Sequence, residues 1–170
     1  MMATHFYQYL RRTDPNLNVW IYSRRTGGDV RNYESVEKAV EGKDIVYHMA
    51  ANTHVDYSYS KDIEDRQSYV NTNLGGTVNV LKACEDHRVK MVYISTSEVL
   101  GHNVNPGRPQ DELHPLNPVA GIYASTKTAA DHTCRIAMES FGQDVVIIRP
   151  FNVWGTGQSM EKVIPKLIAL

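Results

Sequence analysis

Lys90-Met-Val-Tyr-Ile-Ser-Thr-Ser-Glu98 (KMVYISTSE) is an apolar run that breaks abruptly into hydroxyls and a carboxylate. A short run with no polar alternation reads as a strand covered on both faces, the condition found in parallel sheets. Three more runs share the pattern: residues 18–22 (NVWIY), 44–49 (DIVYHM) and 144–149 (DVVIIR). Helical spacing separates them. Val70, Leu74, Thr77, Leu81 and Cys84 recur at three and four residues, as do Ala130, Cys134, Ala137 and Phe141 ahead of a C-terminal Gly142. A shorter helix over residues 3–12 stops before Asp14-Pro15. Strands alternating with helices predict an α/β fold with a doubly wound parallel sheet.

The composition narrows the function classes. With 18 Lys and Arg against 19 Asp and Glu, the net charge is −1, so no basic field invites nucleic acid. No apolar run is long enough to span a bilayer. The N-terminal MMATHFYQYLRR lacks the order of a signal peptide. Cys84 and Cys134 read as free thiols, which suits a reducing compartment and a cytoplasmic location. The seven histidines show no metal-ligand spacing, and His48 and His54 read as strand-end and loop residues.

Open parallel sheets bind ligands beyond the carboxyl ends of their strands. Three strand ends therefore matter: Ala50-Ala51-Asn52, Ser95-Thr96-Ser97-Glu98, and Arg149-Pro150-Phe151-Asn152. They combine small residues with hydroxyls and amides. Ser95 and Glu98 also fit a helix capping box. Past the long polar loop of residues 101–117 comes Gly121-Ile-Tyr-Ala-Ser-Thr-Lys127. Tyr123 and Lys127, four residues apart, share one helix face. An ammonium beside a phenol lowers its pKa and makes it a general base for an alcohol proton. Alone the pair is an ordinary surface couple; a hydroxyl on the same rim gives it meaning. Gly75-Gly76 within a helix implies close packing or a close cofactor approach.

Together these segments resemble the extended short-chain dehydrogenase/reductase family, in its nucleotide-sugar epimerase, dehydratase and decarboxylase group. The matching pieces are Gly28-Asp29-Val30, His48-Met-Ala-Ala51, Thr72-Asn73-Leu-Gly-Gly76-Thr77, Ser95-Thr-Ser-Glu-Val99, Tyr123-x-x-x-Lys127 and Arg149-Pro-Phe-Asn152. The resemblance implies that Tyr123 takes the sugar 4-hydroxyl proton while hydride passes from C4 to NAD. It implies that Lys127 holds the nicotinamide ribose and depresses the tyrosine pKa, and that Thr96 hydrogen-bonds the same sugar oxygen. Asp29 and Val30 correspond to adenine contacts, Ala50 and Ala51 to the strand end along the dinucleotide, and Asn73 to a bracing residue of the cofactor site. Pro150 and Phe151 correspond to the nicotinamide side, and Asn152 to a substrate contact. Where 4,6-dehydratases carry an Asp-Glu pair this chain keeps Glu98 but has Ser97 for the aspartate; Ser-Glu resembles the decarboxylases and certain amino-sugar 4,6-dehydratases, and residues 157–165 (GQSMEKVIP) resemble the latter. Glu98 disfavours a simple 4-epimerase, so the order is 4,6-dehydratase, then UDP-sugar decarboxylase, then 4-epimerase. The substrate is then a UDP- or dTDP-sugar, and a homodimer is implied for the full-length enzyme.

Two departures qualify that picture. None of the eleven glycines forms the G-x-x-G-x-x-G turn that binds pyrophosphate at a helix N-terminus. The reading is therefore of an incomplete Rossmann-like domain, without its first strand and glycine-rich loop, in which residues 153–170 begin a substrate lobe. A noncatalytic domain is the alternative of a different class, and weak or no cofactor binding is expected of residues 1–170 alone. Second, Ser23-Arg24-Arg25 occupies the place where an acid usually selects NAD, which leaves NADP open.

Overall fold

The computed structural model describes residues 1–53, 56–103, 105 and 107–169; His54 lies outside them. The chain divides into two compact units, Met1–Ile21 with Asn152–Leu170, and Tyr22–Phe151.

The larger unit is built on three strands, β1 (Ile45–His48), β2 (Lys90–Ile94) and β3 (Val145–Ile148), in the order β1-β2-β3. All pairs are parallel, with Tyr47 opposite Val92 and Val92 opposite Val146. Helix α2 (Tyr33–Val40) precedes β1, and each of the two crossovers carries a helix that leads into the next strand, α4 (Gly76–His87) into β2 and α5 (Gly121–Phe141) into β3. The helices pack on one face of the sheet. Val36 and Val40 of α2, Val80, Leu81 and Cys84 of α4, and Ala130, Cys134 and Ala137 of α5 close over Met91, Tyr93 and Val145. On the other face Ile45, Tyr47, Val146 and Ile148 remain 41–45% exposed. The expected burial of both faces thus holds for one face of the described residues. Apolar residues at every position are what a strand with two covered faces carries.

The expected strand at residues 18–22 does not form. Its residues favour a pleated conformation, but propensity forms a strand only where a neighbouring strand pairs with it, and the sheet of the described residues consists of β1, β2 and β3. Tyr22 serves instead as an anchor. Its hydroxyl accepts from the Asp29 amide at 2.9 Å and lies 2.9 Å from Ser35 Oγ.

The helix read from Val70 to Cys84 is longer and less regular than its spacing suggests. It runs as α3 (Ile63–Tyr69), a π-helical segment (Val70–Gly75) and α4. Gly76 is needed for packing, because a Cβ there would sit 2.6 Å from Val30 Cγ2. Gly142 ends α5 in the left-handed conformation, φ 66°, as expected of that cap.

The smaller unit contains α1 (Met2–Thr13) and α6 (Val163–Ile168). His5 Nε2 lies 2.7 Å from the Thr156 carbonyl oxygen within it. No helix among the described residues is long and apolar enough to cross a membrane.

Candidate active site

Parallel pairing brings the ends of β2 and β3 together. The Ser95 amide donates to the Ile148 carbonyl at 2.7 Å, and the Ser97 amide to the Pro150 carbonyl at 3.0 Å. Thr96, held between them, is extended (φ −160°, ψ 154°) and begins a 3-10 turn over Ser97–Val99. Its hydroxyl oxygen accepts from the Glu98 amide at 3.3 Å. This corrects the capping-box reading, since Thr96 rather than Ser95 is the cap. Ser95 is drawn elsewhere: its hydroxyl donates to Asp131 Oδ2 at 2.7 Å, inside the core.

Helix α5 enters the site through Gly121, at φ 63° and so close to Ser58 that a Cβ would lie 2.6 Å from its Oγ. Tyr123, Lys127 and Asp131 follow at successive i, i+4 steps and are all buried, at 8%, 3% and 0% exposure. The sheet-facing side of the helix therefore carries three ionisable groups. Such a stripe costs desolvation free energy unless each member finds a partner.

Tyr123 finds Thr96. Burial pushes the phenol above its ordinary pKa, hydrogen bonding with Thr96 pulls it back toward the phenolate, and the Glu98 carboxylate pushes it up again. Lys127 donates to the Ile94 carbonyl at 2.6 Å and lies 4.2 Å from the centre of the Tyr93 ring. Burial lowers its pKa to about 7, opposed by the pull of Cys134 and Asp131 toward the charged form. The expected lowering of the Tyr123 pKa by Lys127 is thus reversed in this geometry, because the ammonium is spent on a strand-end carbonyl and desolvation prevails.

The loop after β1 is fixed from below. Asn73, in the π-helical segment and 1% exposed, accepts from the Asn52 amide at 2.7 Å. It donates to the Asn52 carbonyl at 3.2 Å and to Thr126 Oγ1 at 3.1 Å. One amide side chain thereby ties Ala50-Ala51-Asn52 to α5, one turn from Tyr123. A π-helical turn at such a place is a common device for aiming one side chain out of register. Asn73 acts here as a brace, with its polar atoms engaged internally. Below it His48 Nε2 lies 3.0 Å from Thr77 Oγ1, and burial pushes the imidazole pKa down to about 3.

Among the remaining expected residues, Ala50 is exposed and Ala51 half-buried, leaving a low surface at the end of β1. The Asp29 carboxylate is clasped bidentately by Arg31, which lowers its pKa to about 2. The Val30 side chain is in the core. Ser97, Glu98 and Phe151 line a recess of about 310 Å3 with Gly101, His102 and Gln110. Pro150 is half-buried at the end of β3. Asn152 is exposed and belongs to the smaller unit.

Two residues of the site, Arg149 and Asp131, carry a role that the sequence reading did not assign. Arg149 reaches Asp131 through Nε to Oδ2 at 2.9 Å and Nη2 to Oδ1 at 2.8 Å, and through Nη1 to the Glu112 carbonyl at 3.0 Å. Asp131 was detectable as an acid two i, i+4 steps beyond Tyr123, among alanines and Cys134. Among the described residues no group of His, Cys, Asp or Glu is arranged to hold a metal ion.

The model of the NAD dependent epimerase/dehydratase family matches residues 3–170. The chain belongs to this family. It is 38% identical over 146 residues to human dTDP-D-glucose 4,6-dehydratase, a match covering 84% of this chain and 40% of that protein. The dTDP-glucose 4,6-dehydratase DesIV of Streptomyces venezuelae, solved with NAD, is similar in structure. The TM-score is 0.75 at 33% identity, over 84% of this chain and 42% of that one. UDP-glucuronic acid 4-epimerase of Bacillus cereus, solved with UDP-glucuronic acid and NAD, gives a TM-score of 0.73 at 32% identity, over 82% and 42%. The chain spans about two fifths of the length of these relatives.

Proposed function

We propose that this chain, within its full reading frame, serves a nucleotide-sugar 4,6-dehydratase that oxidises the sugar at C4. The observation that carries this reading is the placement of Thr96 at the end of β2 beside the buried Tyr123 and Lys127, which share one face of α5. Thr96 holds the sugar 4-hydroxyl, and Tyr123 accepts its proton. Burial makes Tyr123 hold its own proton firmly, so the influence of Thr96, which favours the phenolate, supports the base function, and Lys127 is proposed to hold the nicotinamide ribose. Glu98, on the recess beside the pair, is the proposed base at C5 as water leaves C6, with Ser97 contacting the substrate.

NAD, when bound, supplies the hydride acceptor. The low surface at Ala50 and Ala51, fixed by Asn73, suits a flat cofactor near Tyr123, Lys127, Pro150 and Phe151, with Asp29 and Val30 toward the adenine. A glycine-rich pyrophosphate cradle is not among these residues. NADP is the second reading for the cofactor, favoured by exposed Arg24, whose Nη2 donates to Asn52 Oδ1 at 3.2 Å beside the β1 end. Residues 153–170 are proposed to open the substrate lobe, and a cytoplasmic homodimer is proposed for the whole enzyme.

Incubating the whole reading frame with a panel of dTDP- and UDP-sugars tests this. Product mass separates loss of water from loss of CO2 and from an unchanged mass with altered stereochemistry. Loss of water is expected, and Tyr123→Phe should abolish it. Turnover that survives Tyr123→Phe would sink the mechanism. The noncatalytic alternative requires no turnover of any sugar in the panel.

A further inference from the structure

We infer that Asp131 is the positioning residue of this site: with Ser95 and Arg149 it sets α5 against the ends of β2 and β3, so that Tyr123 meets Thr96 and Lys127 has a counter-charge. The inference rests on the proton-relay reading of Tyr123 and Thr96.

The geometry is specific. Both carboxylate oxygens of Asp131 are used, Oδ2 by Ser95 Oγ and Arg149 Nε, and Oδ1 by Arg149 Nη2. Ser95 directly precedes Thr96, and Arg149 directly follows β3. One side chain of α5 is thus bonded to the residue after each of the two strands that shape the rim. Because Asp131 lies two i, i+4 steps from Tyr123, its bonds fix both the rotation and the axial position of the helix. Arg149 extends the tie to the 101–117 loop through the Glu112 carbonyl.

A buried ion pair is a weak source of net stability, since desolvation offsets much of its attraction. Its retention at 0% exposure in Asp131, where Ala130 and Cys134 neighbours show that an apolar residue would pack, points to placement rather than strength. The charged or titratable groups facing Lys127 are few. Among the described residues they are Tyr93 from β2, His48 from β1, and Asp131 and Cys134 from α5. Of these, Asp131 is the carboxylate.

The test reads the Lys127 titration by NMR of 13C-labelled lysine in the chain, and kcat and KM in the full-length holoenzyme. In Asp131→Asn the guanidinium is left uncompensated, so Lys127 should titrate lower by roughly one unit, the effect of a unit charge a few ångströms away. Arg149→Met leaves the carboxylate unpaired, and Lys127 should titrate higher. Loss of packing alone would not move the two in opposite directions. Ser95→Ala keeps the ion pair and frees Thr96, so kcat should fall at least tenfold with KM little changed and Lys127 unmoved. If both charge variants fail to fold, the Ser95→Ala split decides. An unmoved Lys127 in a folded charge variant, or a Ser95→Ala enzyme with wild-type kcat, overturns the inference. Tyr123→Phe is measured alongside: if that variant still turns over, the relay reading has failed instead.

Discussion

The Lys127 ammonium donates to the Ile94 carbonyl at 2.6 Å, in a helix–sheet seam where the lysine is 3% exposed. Its pKa, lowered by burial to about 7, makes it a source of pH-dependent stability. Between pH 7 and the ordinary lysine value of about 10.4 the unfolded chain keeps a proton that the folded state releases. Stability therefore rises with pH across that window, and the burial penalty is greatest below it. Relative to Lys127→Met, the wild-type chain should gain stability between pH 6.5 and 9 in denaturant titrations. A constant difference between the two proteins would show that Lys127 is not perturbed.

His48 has the same sign in a lower window. Its imidazole, stacked on Tyr93 at a centroid distance of 5.8 Å and set against Thr77, is held neutral by burial with a pKa of about 3. An unfolded histidine takes up its proton below about 6.5. Stability is thus fully present above pH 6.5 and is lost as pH falls toward 3, by up to roughly 1.4 kcal/mol per unit from this group. Replacing His48 with Asn should remove that slope while lowering stability at pH 7. Equal slopes for the two proteins between pH 6.5 and 5 would contradict the neutral, buried imidazole.

Local pattern made some of this legible and left the rest hidden. Three strands, α4 and α5 with its Gly142 cap could be read because hydrophobic spacing and a left-handed glycine are local signals. The Tyr123/Lys127 face could be read for the same reason. Residues 18–22 misled because β-propensity says nothing about whether a partner strand is present. Ser95 misled because Ser-x-x-Glu is a valid cap locally, and only the fold shows Asp131 within reach. The Tyr123 pKa failed for a related reason. Spacing puts Lys127 on the same face, but the Ile94 carbonyl that accepts its hydrogen bond is set by the sheet.

The same contrast between local and long-range demands separates two glycines. Gly142 and Gly101 both have positive φ, 66° and 67°. A Cβ on Gly142 meets nothing within 4 Å, whereas one on Gly101 would lie 1.8 Å from the Asn117 carbonyl oxygen. That carbonyl cannot move freely, because the Asn117 amide donates to the Val99 carbonyl at 2.9 Å and closes the base of the 101–117 loop. Gly142→Ala should therefore cost only its backbone strain, about 1 kcal/mol. Gly101→Ala adds a backbone collision and should cost several kcal/mol, on the order of 3, within the range of severe strain. It should also disturb the recess that Gly101 lines with Glu98 and His102. Thermal melts of the two variants decide this: Gly101→Ala should melt well below Gly142→Ala, and equal losses would mean that the loop base opens without cost.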